Sequence, residues 1–214
     1  MIIKIDSLPK SSDCNNRFTI EDYIHNKLSE AEQLVALDFI KFLSDHNLAF
    51  HKDNGGCWIN KIYYWVKLRD KCVCFIAIKD PDEPTNNWTV WSDDMSTEWL
   101  ANYEAENCIK EIAWKHIDHC GHCGSCGGGR HKIVFGKEFN DVCGCTFRVD
   151  NPNIDDLIFL KKMVEIRIDE IQTIPNNHYY KSQVYRDKRN NPLKSFSFSA
   201  GIFVSCHSKQ GNYI

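Results

Sequence analysis

The chain has 214 residues, of which 43% are hydrophobic, and it contains six tryptophans. This length and composition are enough for one folded domain with an ordinary core. No run of about eighteen apolar residues is present, which argues against a membrane-spanning helix. The sequence after Met1 turns polar too quickly for a secretory signal, so we expect a cytoplasmic protein.

The formal net charge of −3 is unevenly distributed along the chain. Residues 173–214 carry a net charge of +5, which leaves −8 on the remainder. An acidic body argues against binding to nucleic-acid phosphates as the main function. The basic tail is rich in Asn, Lys, Ser and Tyr, and we expect it to be poorly ordered.

The first predicted element is one long amphipathic helix from Thr19 to about Asn47. Thr19 is a candidate N-cap, and Asp22 three residues later completes a variant of the capping box. Apolar residues then recur at steps of three and four, which is the spacing of one helical face. They are Ile20, Ile24, Leu28, Ala31, Val35, Phe39 and Phe42.

Three strands are predicted next. Residues 58–68 alternate in the manner of a half-buried strand, a hairpin turn is expected at residues 69–71, and residues 72–79 form the second strand. The third strand covers residues 88–91. In the first strand, one face is predicted to carry Ile62, Tyr64, Val66 and Leu68, and the other Tyr63, Trp65 and Lys67.

The second half of the chain is predicted to contain further helices and two more strands. Residues 96–117 are helical in character, and residues 132–135 and 143–149 are typical of strands joined by residues 136–141. A last helix begins after Asn151-Pro152-Asn153 and ends before Pro175, because proline lacks the amide a helix needs.

These elements predict an α+β fold, with an antiparallel sheet packed with a long N-terminal helix and a C-terminal helix. We expect a single domain over residues 1–172. It carries a cysteine-rich metal-binding insert at about residues 118–146, and the polar basic tail follows.

Eleven cysteines are present, an odd number that a fully paired disulfide scaffold does not explain. In a reducing compartment, clustered cysteines more often hold metal or do redox chemistry. Cys72 and Cys74 lie within an apolar run, and we interpret them as small buried hydrophobic residues.

The central cysteines have the spacing of a metal site, Cys120-Gly-His-Cys123-Gly-Ser-Cys126 followed by Cys143-Gly-Cys145. Zinc binds four tetrahedral ligands and accepts thiolates, and glycines allow the tight turns that aim the sulfurs inward. Five sulfurs compete for four places. The preferred set is Cys120, Cys123, Cys126 and Cys143, with Cys145 as the replacement. Three histidines lie close in sequence, namely His119, His122 and His131.

Three other interpretations of the cysteines remain open. The spacing of Cys120, Cys123 and Cys126 also matches iron–sulfur ligation, although the usual fourth cysteine with its proline is absent. A Cys-x-x-Cys pair could cycle to a disulfide, but a helix rather than a strand is predicted before it. The cysteines could also be unmetallated.

The tryptophans suggest a candidate ligand pocket formed by Tyr63, Trp65, Trp88 and Trp91, although the same residues could form ordinary core. No nucleophile, base and orienting acid can be grouped from spacing. We therefore expect a non-enzymatic zinc-binding protein, an effector-sensing or interaction module whose partner is an unknown small molecule or protein. An iron–sulfur or dithiol redox protein is the alternative, and a nucleic-acid-associated regulator comes third.

One further indication is a resemblance over roughly residues 20–172. The matching segments are Ala113-Trp114, Cys120 to Cys126, Gly129-Arg130, Ile133 to Phe139, Val142-Cys143 and Asn151-Pro152. They resemble an uncharacterised family of small cytosolic proteins from Gram-positive anaerobes. The resemblance implies no activity and no functional residues, and the stretch after residue 173 does not resemble that family.

Overall fold

The described part of the chain combines helices with an antiparallel sheet. The computed structural model describes residues 18–53, 60–93, 97–121 and 128–173, so the predicted tail lies outside the described residues from position 174. Within these ranges the helices are α1 (Ile20–Lys27), α2 (Glu30–Asp45), α3 (Thr97–Asn102), α4 (Asn107–Lys115) and α5 (Ile154–Thr173). The strands are β1 (Ala49–Asp53), β2 (Ile62–Leu68), β3 (Lys71–Ile78), β4 (Trp88–Ser92), β5 (Ile117–His119), β6 (Arg130–Val134) and β7 (Lys137–Asp150). The predicted α+β class is confirmed.

The sheet has the order β1-β2-β3-β4-β7-β5, and β6 also pairs with β7. Strand β7 is long enough to have three partners: β6 along its first part, β5 along its middle and β4 at its end. The segment predicted as a cysteine-rich insert, about 118–146, therefore contributes strands to the sheet. The two ends of its cysteine loop are fixed by backbone pairing.

The helices cover one face of the sheet, where α1 and α5 contact β3. The alternation predicted for β2 is confirmed, because Tyr64 and Val66 belong to the buried core while Trp65 and Lys67 are half-buried on the opposite face. Cys72 and Cys74 are both buried, as predicted.

The prediction of a single helix from 19 to 47 is wrong. The helix stops before Ser29, whose backbone is extended (φ −68°, ψ 160°) and whose hydroxyl accepts a hydrogen bond from the amide of Glu32. The amide of Ser29 in turn donates to the carboxylate of Glu32, so a second capping box starts α2. The capping box predicted at Thr19 and Asp22 is confirmed at the start of α1.

The predicted connection at residues 136–141 is also wrong. Strand β7 begins at Lys137 and pairs with β6 at once, so the turn consists of Phe135 and Gly136. Both have positive φ angles, 50° and 80°. Glycine adopts such an angle readily, which allows so short a hairpin.

Helix α5 confirms the predicted C-terminal helix and is tied to the sheet by a buried ion-pair network. The guanidinium of Arg167 is fully buried and lies 2.6 Å from Asp93 Oδ2 and 2.5 Å from Glu170 Oε2. It also donates to the carbonyl of Cys72 at 3.2 Å. This network fixes α5 against the ends of β3 and β4. None of the helices in the described ranges has the length and apolarity to cross a bilayer.

Candidate thiol site

Strand β7 contains an irregular segment that brings two thiols together. Ile117 pairs with Phe147 and His119 pairs with Val142. One residue of β5, Asp118, therefore faces four residues of β7, numbers 143–146. We call this segment, Cys143-Gly144-Cys145-Thr146, the thiol bulge. Thr146 ends it with a φ of 63°, a conformation uncommon for a β-branched residue.

Side chains from the neighbouring strands hold the backbone of the thiol bulge. The ammonium of Lys132 on β6 donates to the carbonyl of Gly144 at 3.2 Å and to the hydroxyl of Thr146 at 2.6 Å. Its side chain is only 2% exposed. The hydroxyl of Ser92 on β4 donates to the carbonyl of Cys145 and accepts from the amide of Phe147 at 3.1 Å. The irregular backbone is thus satisfied at several points, which makes it a defined feature of the fold.

The two thiols of the bulge shift each other's pKa in opposite directions. Both are free cysteines. The pKa of Cys143 is lowered, first by the hydrogen bond from the Cys145 thiol and also by the Cys145 amide, Asp118 and the charge of Lys132, against the opposing effect of burial. The pKa of Cys145 is raised by the same hydrogen bond, by burial and by the negative charges nearby. The pair therefore favours a thiolate at Cys143 and a thiol at Cys145.

Asp118 completes this group from the opposite strand. Burial raises the pKa of its carboxyl to about 7, and the charge of Cys143 and a hydrogen bond to the same sulfur add to the rise. A carboxyl that keeps its proton near neutral pH can donate a hydrogen bond to a thiolate. Asp118 and Cys145 therefore both stabilise negative charge on the sulfur of Cys143.

The cysteine loop between β5 and β6 starts and ends beside the thiol bulge. We call residues 120–129 the thiol loop. His119 and Arg130, which flank it, both pair with Val142, the residue before Cys143. At the start of the loop, the amide of Cys120 donates to the carbonyl of Asp141 at 2.8 Å.

The other end of the thiol loop packs against the same residue of β7. A Cβ added to Gly129 would lie 2.7 Å from the Cα of Asp141, closer than two such carbon atoms approach in proteins. Only glycine allows the chain to return to the sheet at this point. Both ends of the loop are therefore fixed within a few residues of Cys143.

The predicted metal ligands divide into two groups. Cys120, Cys143 and Cys145 are described and are half-buried, whereas Cys123 and Cys126 lie outside the described residues. In residues 18–53, 60–93, 97–121 and 128–173, no three His, Cys, Asp or Glu side chains form a group that could hold a metal ion. A complete metal site would therefore need at least one ligand from outside these ranges.

The nearby histidines are also divided. His122 lies outside the described residues. His119 and His131 are exposed, and Nε2 of His131 lies 3.5 Å from Glu138 Oε2. Neither described histidine belongs to the group around the thiol bulge.

The four aromatic residues of the candidate pocket lie on two faces of the sheet. Trp88 is 1% exposed and belongs to the core beneath the helices. Trp91 lies three residues after Trp88 on the same strand, so its side chain points to the opposite face. There its ring stacks on Tyr63, with the ring centroids 5.4 Å apart. Trp65 is on this outer face as well and donates to Asp53 at 2.7 Å. Three of the four residues therefore share a surface, and Trp88 does not.

The outer aromatic face adjoins the thiol bulge. Burial raises the pKa of the Tyr63 hydroxyl, and the charges of Asp80, Glu83 and Cys145 contribute to the rise. The guanidinium of Arg148 lies 5.2 Å from the centre of the Trp91 ring.

The charge of Arg148 is balanced within the fold. Its Nη1 donates to Glu83 at 3.2 Å and its Nε to Asp150 at 2.9 Å. Both carboxylates thus hold the guanidinium over the Trp91 ring. The result is a packed, internally paired surface beside the two sulfurs.

Sequence reasoning missed three residues of the site, namely Asp118, Lys132 and Ser92. Each comes from a different strand, and each reaches the thiol bulge only because of the strand order. Asp118 had a weak signal, since it stands two residues before Cys120 on what proves to be a strand. Lys132 and Ser92 had none, because nothing local distinguishes a buried lysine or serine from an exposed one.

Comparisons with known proteins give no further guide to the site: no protein-family model, no curated protein and no solved structure matches this chain.

Proposed function

We propose that this protein is a non-enzymatic metal-binding module that holds one zinc ion through cysteine thiolates. The ligands come from the thiol loop, which carries Cys120, Cys123 and Cys126, and from the thiol bulge, which supplies Cys143. Cys145 competes with the loop cysteines for one place. A reducing cytoplasmic location belongs to the same proposal, because thiolates persist there.

The observation that carries this proposal is the pairing of both flanks of the thiol loop with Val142. His119 pairs with Val142 from one edge of β7, and Arg130 pairs with it from the other. Both ends of the thiol loop therefore start from the residue next to Cys143, and the two-residue spacing of the loop cysteines is that of zinc ligands.

The chemistry of the bulge agrees with thiolate ligation. A metal ligand must be the deprotonated thiolate, and the surroundings of Cys143 already favour that form. Cys145 lies two residues from Cys143 on the same irregular segment, so one or both sulfurs could be ligands.

A role in sensing or interaction fits the outer aromatic face. Tyr63, Trp65 and Trp91 lie on the face that adjoins the bulge. A metal held by Cys143 would lie beside this face. We propose that the ligand or partner, a small molecule or a protein, meets the protein here.

The test is metal analysis of protein purified without oxygen. We expect one zinc per chain, and a cobalt-substituted sample with the intense visible absorption of tetrahedral thiolate coordination. Cys143→Ser should lower zinc retention strongly. Cys108→Ser is the matched control, since Cys108 is exposed and lies on α4 away from the bulge.

Two outcomes would contradict zinc binding. A brown sample that contains iron and acid-labile sulfide would favour the iron–sulfur alternative. Absence of any metal, with every thiol of the folded protein reacting freely, would end the metal proposal.

A further inference from the structure

Helices α2, α4 and α5 enclose an apolar groove, which we call the helical groove. Phe42 from α2, Ile109 from α4 and Ile158 from α5 supply its apolar lining, and its volume is about 300 Å³. The side chain of Ile109 is 5% exposed, whereas that of Ile158 is 63% exposed. The helical groove therefore has a buried floor and an apolar edge that faces solvent.

The solvent-facing edge of the helical groove continues along α5 as an exposed apolar ridge. Among the described residues, four large apolar side chains are exposed, namely Phe18, Leu34, Ile154 and Ile158. Ile154 and Ile158 lie one turn apart on one face of α5, and we call them the apolar ridge. A single exposed apolar residue is ordinary, but two beside an apolar groove form a surface that another apolar segment can bury.

The charges around the helical groove favour a positively charged partner. The two lysines that line the groove are each paired with a carboxylate of the fold. These pairs are Lys161 with Asp38 and Lys162 with Glu165, each with a nitrogen–oxygen distance of 3.0 Å. The wall formed by residues 97–115 carries four exposed glutamates, one of which, Glu106, lines the groove, but only two lysines. A segment that is both apolar and basic therefore fits this surface better than an acidic one.

We propose that residues 196–204 of this chain dock on the apolar ridge and in the helical groove of the same molecule. Phe196 and Phe198 alternate with serine, which is typical of an extended segment whose two rings lie on one side, about 6.6 Å apart. Ile154 and Ile158 are separated by about 6 Å along the axis of α5. The two rings therefore match the spacing of the apolar ridge, and their contact with it does not depend on a metal ion.

Charge supports this occupant over other apolar segments. Residues 173–214 carry a net charge of +5, and Lys194 lies two residues before Phe196. Residues 97–115 carry a net charge of −2, because four glutamates exceed two lysines. Docking of Phe196 on the apolar ridge therefore brings a basic segment to an acidic wall.

The connection between α5 and the docking segment is long enough for this return. Helix α5 ends at Thr173, and Ile158 lies fifteen residues earlier, about 22 Å away along the helix. The 22 residues numbered 174–195 then lead to Phe196. A flexible chain of this length has a root-mean-square end-to-end distance of about 25 Å, close to the distance to be covered. Such a linker gives an effective concentration of roughly millimolar, so a small apolar contact is sufficient for docking.

The first test is chymotrypsin digestion of the full-length protein. Chymotrypsin cleaves after aromatic residues, so Phe196 and Phe198 can be compared with Tyr179 and Tyr180, which lie before the docking segment. Each rate is divided by the rate at the same site in a synthetic peptide of residues 174–214. We expect relative cleavage at the phenylalanines to be at least about tenfold slower, which corresponds to docking for about nine-tenths of the time. Equal relative rates at the two pairs of sites would overturn the proposal.

Two substitutions on the protein surface show whether the helical groove provides this protection. Ile158→Asp places a charge on the apolar ridge and should raise cleavage at the phenylalanines to the rate of the peptide. Leu34→Asp is the matched control, because Leu34 is 75% exposed on α2 and lies outside the lining of the groove. Both positions are exposed, so the urea denaturation midpoints should remain close to that of the wild type. Protection that survives Ile158→Asp would overturn the proposal.

Carbodiimide cross-linking tests the occupant independently of digestion. We expect a link between Lys194 and a glutamate of residues 97–115, which should be lost in the double variant Phe196→Ser, Phe198→Ser and kept in Tyr213→Ser. In an equal mixture of unlabelled and nitrogen-15-labelled protein, each linked pair of peptides should carry a single isotope. Links of mixed isotope, or protection that is lost on dilution, would show that a second copy occupies the groove and would overturn docking within one chain. None of these outcomes depends on whether the protein binds zinc.

Discussion

Lys132 offers the most direct test of how the thiol bulge is held. Its buried ammonium satisfies the Gly144 carbonyl and the Thr146 hydroxyl. The substitution Lys132→Met keeps most of the side-chain volume but removes both donors. Each buried acceptor left without a partner costs about 1–3 kcal/mol, and loss of a buried charge returns part of this. We expect the free energy of unfolding to fall by about 2–4 kcal/mol.

The same substitution should change the chemistry of Cys143, because the charge of Lys132 helps to lower the pKa of that thiol. We expect the rate of alkylation at Cys143 in metal-free protein to reach its half-maximum at a higher pH. Urea denaturation gives the stability, and peptide-resolved alkylation gives the pH profile. Lys41→Met is the control, since Lys41 is 72% exposed and forms an exposed ion pair with Asp45.

The expected contrast between the two variants is large. An exposed pair of this kind contributes at most about 0.5 kcal/mol. If Lys132→Met unfolds within about 0.5 kcal/mol of the control and leaves the alkylation profile unchanged, the lysine does not hold the bulge.

Three further predictions concern pH, the thiol loop and the buried ion pairs. The pKa of Cys143 falls from 9.0 to about 5 on folding, so its ionisation stabilises the fold fully above pH 9, and this stabilisation is lost as the pH falls through 5. The pKa of Asp118 rises from 3.8 to about 7 on folding. The destabilisation that this causes grows up to pH 7 and stays constant above it. The unfolding free energy of the metal-free protein should therefore rise between pH 7 and 9, and a Cys143→Ser variant that shows the same rise would refute the assignment. Gly129→Ala should destabilise the protein by about 1–3 kcal/mol because the added methyl group meets the backbone of Asp141. Gly121→Ala is the control and should have little effect, because nothing lies within 4 Å of the added methyl group. Equal urea denaturation midpoints for the two variants would contradict the packing of the loop end. Arg167→Met removes the guanidinium from two buried carboxylates. The free energy of unfolding, measured by calorimetry or denaturation, should fall by about 3–5 kcal/mol. A fall of under about 1 kcal/mol would show that the network is not buried as described.

Local patterns in the sequence were sufficient for much of the fold. The capping box at Thr19, the two faces of β2 and the helix after Asn153 follow from rules that act over a few residues. The break before α2 also had a local signal, since Ser29 and Glu32 form a capping box that the apolar periodicity concealed. The cysteine spacing likewise indicated where chemistry should be sought.

The site itself depends on pairings between distant segments. The bulge exists because Ile117 and His119, two positions apart on β5, pair with residues of β7 that are five positions apart. No local pattern within residues 143–146 predicts this difference in length. Lys132 is buried because β6 folds back on β7.

The sequence alone determined which residue types could do chemistry in this protein, and the tertiary structure decided which of them meet. Side-chain identity and helix or strand periodicity are local properties, so they can be read from a single sequence. Register is set by the summed energy of pairing and burial over the whole sheet. It alone decided that Cys143, Cys145 and Asp118 share one site while Trp88 faces the core.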